Sequence, residues 1–131
     1  MDTAKLLIVD DAFTILSLVE NLFKKKYEVI KCRSVKEAME ALEYVTPDIV
    51  VTDLNMPEEG GENLIVHLKS ESRFENIPVI VLSSSDNTNT KLRLLRMGVD
   101  DFVQKPFNPE ELGLRMENII KRYNYNKVLV S

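Results

Sequence analysis

Polar residues that can do chemistry stand where the apolar segments of this chain end. Asp10 and Asp11 follow LLIV, Asp53 follows IVVT, Ser83 follows VIVL, and Lys105 follows FVQ. The first three of these segments are continuous apolar runs, which are typical of strands covered on both faces. A carboxylate nucleophile supported by a lysine and a hydroxyl donor supplies the groups that phosphoryl transfer requires, since that reaction depends mainly on positioning and charge stabilisation.

The three carboxylates predict a cation site. If Asp10, Asp11 and Asp53 lie together, they repel one another, so one must take up a proton or a cation must bind. The expected ligands are all oxygen atoms: the carboxylates, the backbone carbonyl of Asn55, and water. This set suits Mg²⁺, a hard cation that uses few protein ligands and keeps several waters. Mn²⁺ could substitute for it.

The segments that must position these groups alternate along the chain. The sequence predicts strands over residues 6–9, 28–32, 49–52, 79–82 and 102–104, and helices over 12–25, 35–44, 62–72, 88–97 and 109–122. Ser34 and Glu37 form a predicted capping box. Gly98 is a predicted helix stop, and Asn108 is a predicted N-cap before Pro109.

Alternation of this kind predicts an α/β fold, a parallel sheet covered by helices on both faces. The best match is the flavodoxin-like, doubly wound, five-stranded sheet in the order 2-1-3-4-5, with five helices. Its switch point lies between strands 1 and 3, so the three carboxylates are expected to meet there. The helical faces toward the core are expected to carry Phe13, Leu16, Val19, Leu22 and Phe23 in helix 1, and Leu92 and Leu95 in helix 4.

The composition of the chain is typical of a small globular domain and argues against nucleic-acid-binding, membrane-spanning and secreted proteins. The chain has 131 residues, 44% of them apolar and 29% charged, which suits one ordinary globular domain. A net charge of -4 argues against a direct nucleic-acid surface, and Lys24–Lys26 are interpreted as the basic end of a helix. No apolar stretch approaches about 18 residues and no signal peptide is evident, so neither a membrane span nor secretion is expected. Together with the single cysteine, Cys32, these features suggest a cytoplasmic protein.

The segments LLIVDD, VVTDLNMP, VIVLSSS and GVDDFVQKPFNPEEL closely resemble the receiver domains of two-component response regulators, the family that includes the chemotaxis regulator. The resemblance covers residues 4 to 122. It assigns a receiver domain to 1–122 and leaves 123–131 as a tail. That tail could extend helix 5, fray, or begin a linker to an output domain.

The resemblance implies a role for each site residue. It implies that Asp53 accepts a phosphoryl group from a phosphohistidine on a sensor histidine kinase or phosphotransfer protein. Lys105 pairs with the phosphoryl group, and Ser83 moves to hydrogen-bond it. The implied Mg²⁺ ligands are Asp10, Asp11, Asp53 and the backbone carbonyl of Asn55. Phe102 holds the place of the family's switch aromatic, and a cis peptide bond is implied before Pro106. Asn55 and Ser85 resemble positions that tune the rate of hydrolysis.

The resemblance also implies an output face on helix 4, strand 5 and helix 5. Arg93, Leu94, Phe102 and Arg115 are expected there, with Asp100 and Asp101 pairing with arginines, and the face could form a homodimer. Phe102 lacks the hydroxyl of the tyrosine common at its position, so the implied switch works by packing alone. Such a domain is a switch that assists only its own phosphorylation and dephosphorylation, and not an enzyme acting on free substrates.

Three other functions fit less well. A phosphohydrolase of the haloacid dehalogenase type would place a second carboxylate where Asn55 stands. A flavin binder would need a phosphate-cradling loop after strand 1, where the chain has Asp10 and Asp11. A degenerate receiver that binds partners without phosphorylation would not need the full set of site residues. Alone, Asp53 could cap a turn before Pro57, and Asp10 or Asp11 could cap helix 1.

Overall fold

Five strands and five helices alternate along the chain. The computed structural model describes residues 3–130, and the side chains of residues 3–125. The strands are β1 (Ala4–Val9), β2 (Tyr27–Cys32), β3 (Ile49–Asp53), β4 (Val79–Ser83) and β5 (Asp101–Gln104). The helices are α1 (Phe13–Phe23), α2 (Val35–Leu42), α3 (Gly61–Ser70), α4 (Thr88–Arg96) and α5 (Pro109–Val130).

The strands form one parallel sheet in the order β2-β1-β3-β4-β5, which confirms the predicted flavodoxin-like topology. The register pairs Val9 with Thr52 across β1 and β3, and Asp53 with Leu82 across β3 and β4. The carboxyl ends of the three central strands are therefore level. Residues that follow these strands meet at one edge of the sheet, at the switch point between β1 and β3.

Helices cover the sheet on both faces, which explains why the central strands are continuously apolar. One buried cluster joins alternate strand residues to α2, α3 and α4, and contains Leu7, Val9, Val50, Leu68 and Leu94. The other joins the intervening strand residues to α1 and α5, and contains Leu6, Ile8, Ile49, Leu16 and Met116. Strand residues alternate between the clusters because successive side chains of a strand point to opposite faces.

The predicted helix caps are present. Ser34 Oγ accepts a hydrogen bond from the Glu37 backbone N–H at 3.1 Å, whereas the Glu37 carboxylate accepts from the N–H of Arg33, one residue before the N-cap. Asn108 Oδ1 accepts from the Glu111 N–H at 3.0 Å, at the start of α5. Gly98 follows α4 with a φ of +97°, a conformation that a residue without a Cβ adopts at little cost.

Several details of the helices differ from the sequence prediction. Phe13 and Leu22 are 64% and 42% exposed, so the buried face of α1 consists of Leu16, Val19 and Phe23. In α4 the predicted core residues Leu92 and Leu95 are exposed, and Leu94 alone is buried. A short helix of mixed polarity offers several registers, and the packing of Leu94 in the α2–α3–α4 cluster decides among them.

The ends of two helices also differ. The N-cap of α1 is Ala12, with no side-chain cap, so neither Asp10 nor Asp11 is its N-cap. Lys24–Lys26 follow the end of α1 and are not in its last turn. At the other end of the chain, α5 continues past residue 122 to Val130. The side chains of 126–131 lie outside the described residues. The domain boundary at residue 122 stays a prediction.

Candidate functional site

The site lies at the carboxyl-end edge of the sheet, where four of the five strands deliver a polar residue. Asp10 directly follows β1, Asp53 ends β3, Ser83 ends β4, and Lys105 directly follows β5. The backbone N–H of Lys105 donates to the carbonyl oxygen of Ser83 at 2.8 Å, which extends the ladder of β4 and β5 by one step beyond the sheet. The structure therefore brings the predicted polar residues to one edge.

The three carboxylates form a compact cluster. Asp10, Asp11 and Asp53 each place one carboxylate oxygen within 4.8 Å of the other two. Asp10 is fully buried and Asp53 is 6% exposed, whereas Asp11 faces solvent. The second oxygen of Asp10, Oδ1, accepts the Ala12 N–H at 2.9 Å, which fixes the orientation of its carboxylate.

Lys105 is the cation within this cluster. Its Nζ lies 2.7 Å from Asp10 Oδ2 and 3.3 Å from Asp53 Oδ1, so it bridges the two buried carboxylates. Because one lysine opposes three aspartates, the cluster keeps an excess of negative charge. This arrangement places an ammonium group beside the carboxylate that was predicted to react.

The pKa values of Asp53 and Lys105 are both raised, Asp53 chiefly by burial and Lys105 by its carboxylate partners. Burial raises the pKa of Asp53, and repulsion from Asp10 and Asp11 raises it further, which outweighs the lowering by Lys105. Burial alone would lower the pKa of Lys105, but its hydrogen bonds and charge interactions with Asp10 and Asp53 outweigh burial and raise it. Lys105 therefore stays protonated, while ionised Asp53 lies in an environment that disfavours its charge.

The donor set fits a divalent, oxygen-preferring cation. The carboxylates supply hard anionic oxygens, and the solvent-facing position of Asp11 leaves one side of the cluster open to water. Asn55 lies two residues beyond Asp53 in an exposed loop. A Mg²⁺ ion held here would relieve the repulsion that raises the pKa of Asp53.

Ser83 is engaged with the loop that follows it. Its Oγ accepts the Ser85 N–H at 3.1 Å and donates to the Ser85 carbonyl at 3.3 Å. Beside it lies a cavity of about 200 Å³, lined in part by Thr90, Leu94 and Phe102. Phe102 is half-buried against the α2–α3–α4 cluster, so the predicted switch aromatic adjoins open space next to the predicted switch hydroxyl. The Lys105–Pro106 peptide bond is cis, as expected.

The predicted output face differs from expectation in its contacts. Leu94 is buried and does not lie on the face. Arg115 bonds Asp101 at 2.9 Å, as predicted. Among the described side chains, however, Asp100 has no arginine partner. It accepts hydrogen bonds from the hydroxyl of Tyr123 at 2.6 Å and from the N–H of Val79 at 2.8 Å.

Sequence reasoning missed two residues next to the site, Thr52 and Gly61. Thr52 is fully buried, and its Oγ1 donates to the backbone carbonyl of Asp53 at 2.9 Å. A Cβ placed on Gly61 would collide with that same carbonyl oxygen. The signal for Thr52 is weak, because a threonine is an ordinary strand residue; the signal for Gly61 is its place in a glycine pair at a helix start.

A family model described as "Response regulator receiver domain" matches residues 6–117. The chain is 34% identical over 119 residues to chemotaxis protein CheY1 of Helicobacter pylori, an alignment that covers 88% of this chain and 96% of that protein. It is also 35% identical over 114 residues to hybrid signal transduction histidine kinase D of Dictyostelium discoideum, covering 87% of this chain.

The chain spans only 7%, 9% and 12% of the length of three histidine kinases that it matches. Among solved structures, a response regulator from Chloroflexus aurantiacus superposes with a TM-score of 0.85 at 28% identity, covering 92% of this chain and 99% of that one. No helix within the described residues combines the length and the hydropathy needed to cross a membrane.

Proposed function

Because this chain belongs to the response regulator receiver domain family, a family of signalling switches, we propose that Asp53 is its phosphoacceptor. The observation that carries the proposal is the contact of Lys105 Nζ with both Asp10 and Asp53 inside a cluster of three carboxylates. This arrangement pairs a reactive carboxylate with a fixed cation at the open edge of the sheet.

In the proposed reaction, a carboxylate oxygen of Asp53 attacks the phosphorus atom of a phosphohistidine on a partner. The new bond is P–O, the broken bond is P–N, and the released imidazole takes up a proton from solvent. When bound, Mg²⁺ offsets charge on the phosphoryl oxygens; Asp10, Asp11, Asp53 and the Asn55 carbonyl would hold it. Lys105 is already fixed beside Asp53, so it is in place to pair with the incoming phosphoryl group.

The switch follows from the competition for Ser83. Its hydroxyl is occupied by the backbone of Ser85, so donating to a phosphoryl group on Asp53 requires that the loop after β4 rearrange. Phe102 borders the adjacent cavity and can repack as the loop moves. The phosphoryl group then stabilises the conformation in which these contacts form, which shifts a pre-existing equilibrium.

The proposed partner is a sensor histidine kinase or a phosphotransfer protein, since matching segments occur within histidine kinases. We also propose that α4, β5 and α5 form the output face, which could pair with a second copy. Exposed Leu92 and Leu95 support this part of the proposal, because they leave apolar surface on α4. Asn55 and Ser85 are proposed to tune the rate of hydrolysis.

Intact-protein mass spectrometry tests the proposed function. The chain is incubated with a small acyl phosphate donor, once with Mg²⁺ and once with excess chelator, beside the Asp53→Ala variant. We expect the mass of one phosphoryl group on the wild-type chain with Mg²⁺ only, and none on Asp53→Ala. Light scattering on the same samples tests pairing. The assignment of Asp53 would be contradicted if the chain gained this mass without the phosphoryl donor, or if Asp53→Ala were labelled as fully as the wild-type chain.

A further inference from the structure

Thr52 stands apart among the buried residues of this protein. Within the part of the chain whose side chains are described, the buried polar or charged residues are Asp10, Thr52, Asp53 and Ser83. Three of these belong to the proposed phosphorylation site. Thr52 is the fourth, and nothing in the proposed reaction uses it.

The hydroxyl of Thr52 is committed to the backbone of the proposed phosphoacceptor. Oγ1 donates to the Asp53 carbonyl oxygen at 2.9 Å, and Thr52 itself is fully buried, so water cannot replace this donor. Because the side chains of neighbouring strand residues point to opposite faces, Thr52 lies on the same face as Val50, toward the α2–α3–α4 cluster, while the carboxylate of Asp53 joins the site.

The start of α3 packs closely against the same carbonyl from a second direction. A Cβ at Gly61 would collide with the Asp53 carbonyl oxygen and would lie 3.2 Å from Thr52 Oγ1. The three groups are therefore in direct contact, and only a glycine permits the approach. The N–H of Gly61 donates to the carbonyl of Leu54 at 2.9 Å, while the N–H of Leu54 donates to Leu82 at 3.1 Å.

These contacts fix the backbone on both sides of Asp53 up to Leu54. Asn55, whose carbonyl is a proposed Mg²⁺ ligand, is the next residue. The direction in which its carbonyl points thus depends on the peptide units that Thr52 and Gly61 hold. Removing a group that orients a metal ligand typically lowers metal affinity or activity by about 10–100-fold.

We propose that Thr52 is a positioning residue: through its hydrogen bond to the Asp53 carbonyl, and with Gly61 packed against both, it sets the geometry of the Asp53 carboxylate and the Asn55 carbonyl. This inference rests on the proposed function. A positioning role can be distinguished from a packing role, because valine has the shape of threonine. Valine would fill the same space but could not donate the hydrogen bond.

The test compares Thr52→Val with Thr52→Ser. Mg²⁺ affinity is measured by calorimetry without any phosphoryl donor, and the phosphorylation rate by intact-protein mass spectrometry. Thr52→Val is expected to lose about tenfold in both. Its melting temperature is also expected to fall, because the buried Asp53 carbonyl loses its donor, but by no more than that of Val50→Ala. Thr52→Ser keeps the donor and is expected to stay close to the wild-type chain in both. The matched control is Val50→Ala, a fully buried residue on the same strand face, which is expected to lower the melting temperature but leave the Mg²⁺ affinity unchanged.

Equal Mg²⁺ affinity and phosphorylation rate in Thr52→Val and the wild-type chain would overturn the inference. So would a loss of Mg²⁺ affinity in Val50→Ala as large as that in Thr52→Val, at a similar fall in melting temperature, because it would indicate a structural role alone. If the wild-type chain binds Mg²⁺ but takes up no phosphoryl group, the proposed function fails. A weaker Mg²⁺ affinity of Thr52→Val would then still support the positioning role. A wild-type chain that binds no Mg²⁺ would overturn both.

Discussion

The interior of the sheet and its carboxyl-end edge are built from the same strands but differ in what they bury. Along the strands, two apolar clusters cover both faces. At the edge lie Asp10, Thr52, Asp53 and Ser83, the buried polar and charged residues among the described side chains. The interior stabilises the fold, whereas the edge holds charges whose burial and mutual repulsion oppose it. Stability and function should therefore respond in opposite ways to substitutions in the two regions.

The largest loss of stability is expected from the interior. Leu68 on α3 is fully buried in the α2–α3–α4 cluster, so Leu68→Ala removes buried methyl groups and leaves a cavity, at a cost of about 2–5 kcal/mol in the free energy of unfolding. Urea unfolding measures this loss. Because the edge is untouched, the molecules that remain folded are expected to be phosphorylated at the wild-type rate.

Val66→Ala is the matched control on the same helix, since Val66 is 56% exposed. Its effect is expected to stay within about 0.5 kcal/mol. The division between interior and edge would be wrong if Leu68→Ala were as mild as Val66→Ala, or if its folded fraction had lost phosphorylation.

At the edge, a substitution that removes function is expected to add stability. Asp53→Asn abolishes the proposed acceptor but removes a carboxylate repelled by Asp10 and Asp11, while Lys105 keeps its contact with Asp10. In chelator at neutral pH, the free energy of unfolding is expected to rise by about 0.5–2 kcal/mol, the usual range for a stabilising substitution. Urea unfolding at several pH values measures the gain.

The sign of the pH dependence follows from the raised pKa of Asp53. Ionised Asp53 costs more in the folded state than in the unfolded state, so the cost is present at neutral pH and disappears as the pH falls below the unfolded-state pKa. The advantage of Asp53→Asn should therefore shrink toward acid pH, and also on addition of Mg²⁺. Asp86→Asn, in an exposed loop, is the control. An advantage that stays constant with pH would show that charge repulsion is not its source.

How well the sequence predicted each region follows from the same contrast. The strand order and the polar residues at the strand ends were predictable, because continuous apolar runs require cover on both faces and parallel strands end at one edge. The capping pair of Ser34 and Glu37 was predictable because its signal is local.

The remaining features depend on contacts between distant segments. Which leucine of α4 is buried depends on the packing of Leu94 in a cluster built by three helices. The partner of Asp100 is Tyr123, separated from it by the whole of the last strand and most of α5. The role of Thr52 appears only when Gly61 is seen against the same carbonyl. No spacing along the chain encodes these contacts.

Cys32, which belongs to both regions, gives the smallest expected effect: its thiol changes the pH dependence of stability only above pH 9. It ends β2 at the carboxyl-end edge, where its carbonyl accepts the Asp10 N–H at 3.0 Å, yet its side chain is buried in the α2–α3–α4 cluster. Burial raises the pKa of its thiol to about 12, with smaller contributions from Glu37 and Glu40. The folded-state pKa of the thiol exceeds the unfolded-state value, so the folded state favours the neutral thiol. The chain therefore keeps its full stability below the unfolded pKa and loses stability as the pH rises from there through the folded pKa.

The thiol is therefore neutral in both states at pH 7 and contributes no pH dependence there. Above pH 9 the unfolded thiol ionises first, so the wild-type chain should lose stability relative to Cys32→Ala by at most about 1.4 kcal/mol per pH unit. Urea unfolding of both chains from pH 7 to pH 10 measures the divergence. Parallel pH curves would mean that the thiol ionises in the folded chain as it does in water, and that the apolar interior does not extend to this end of β2.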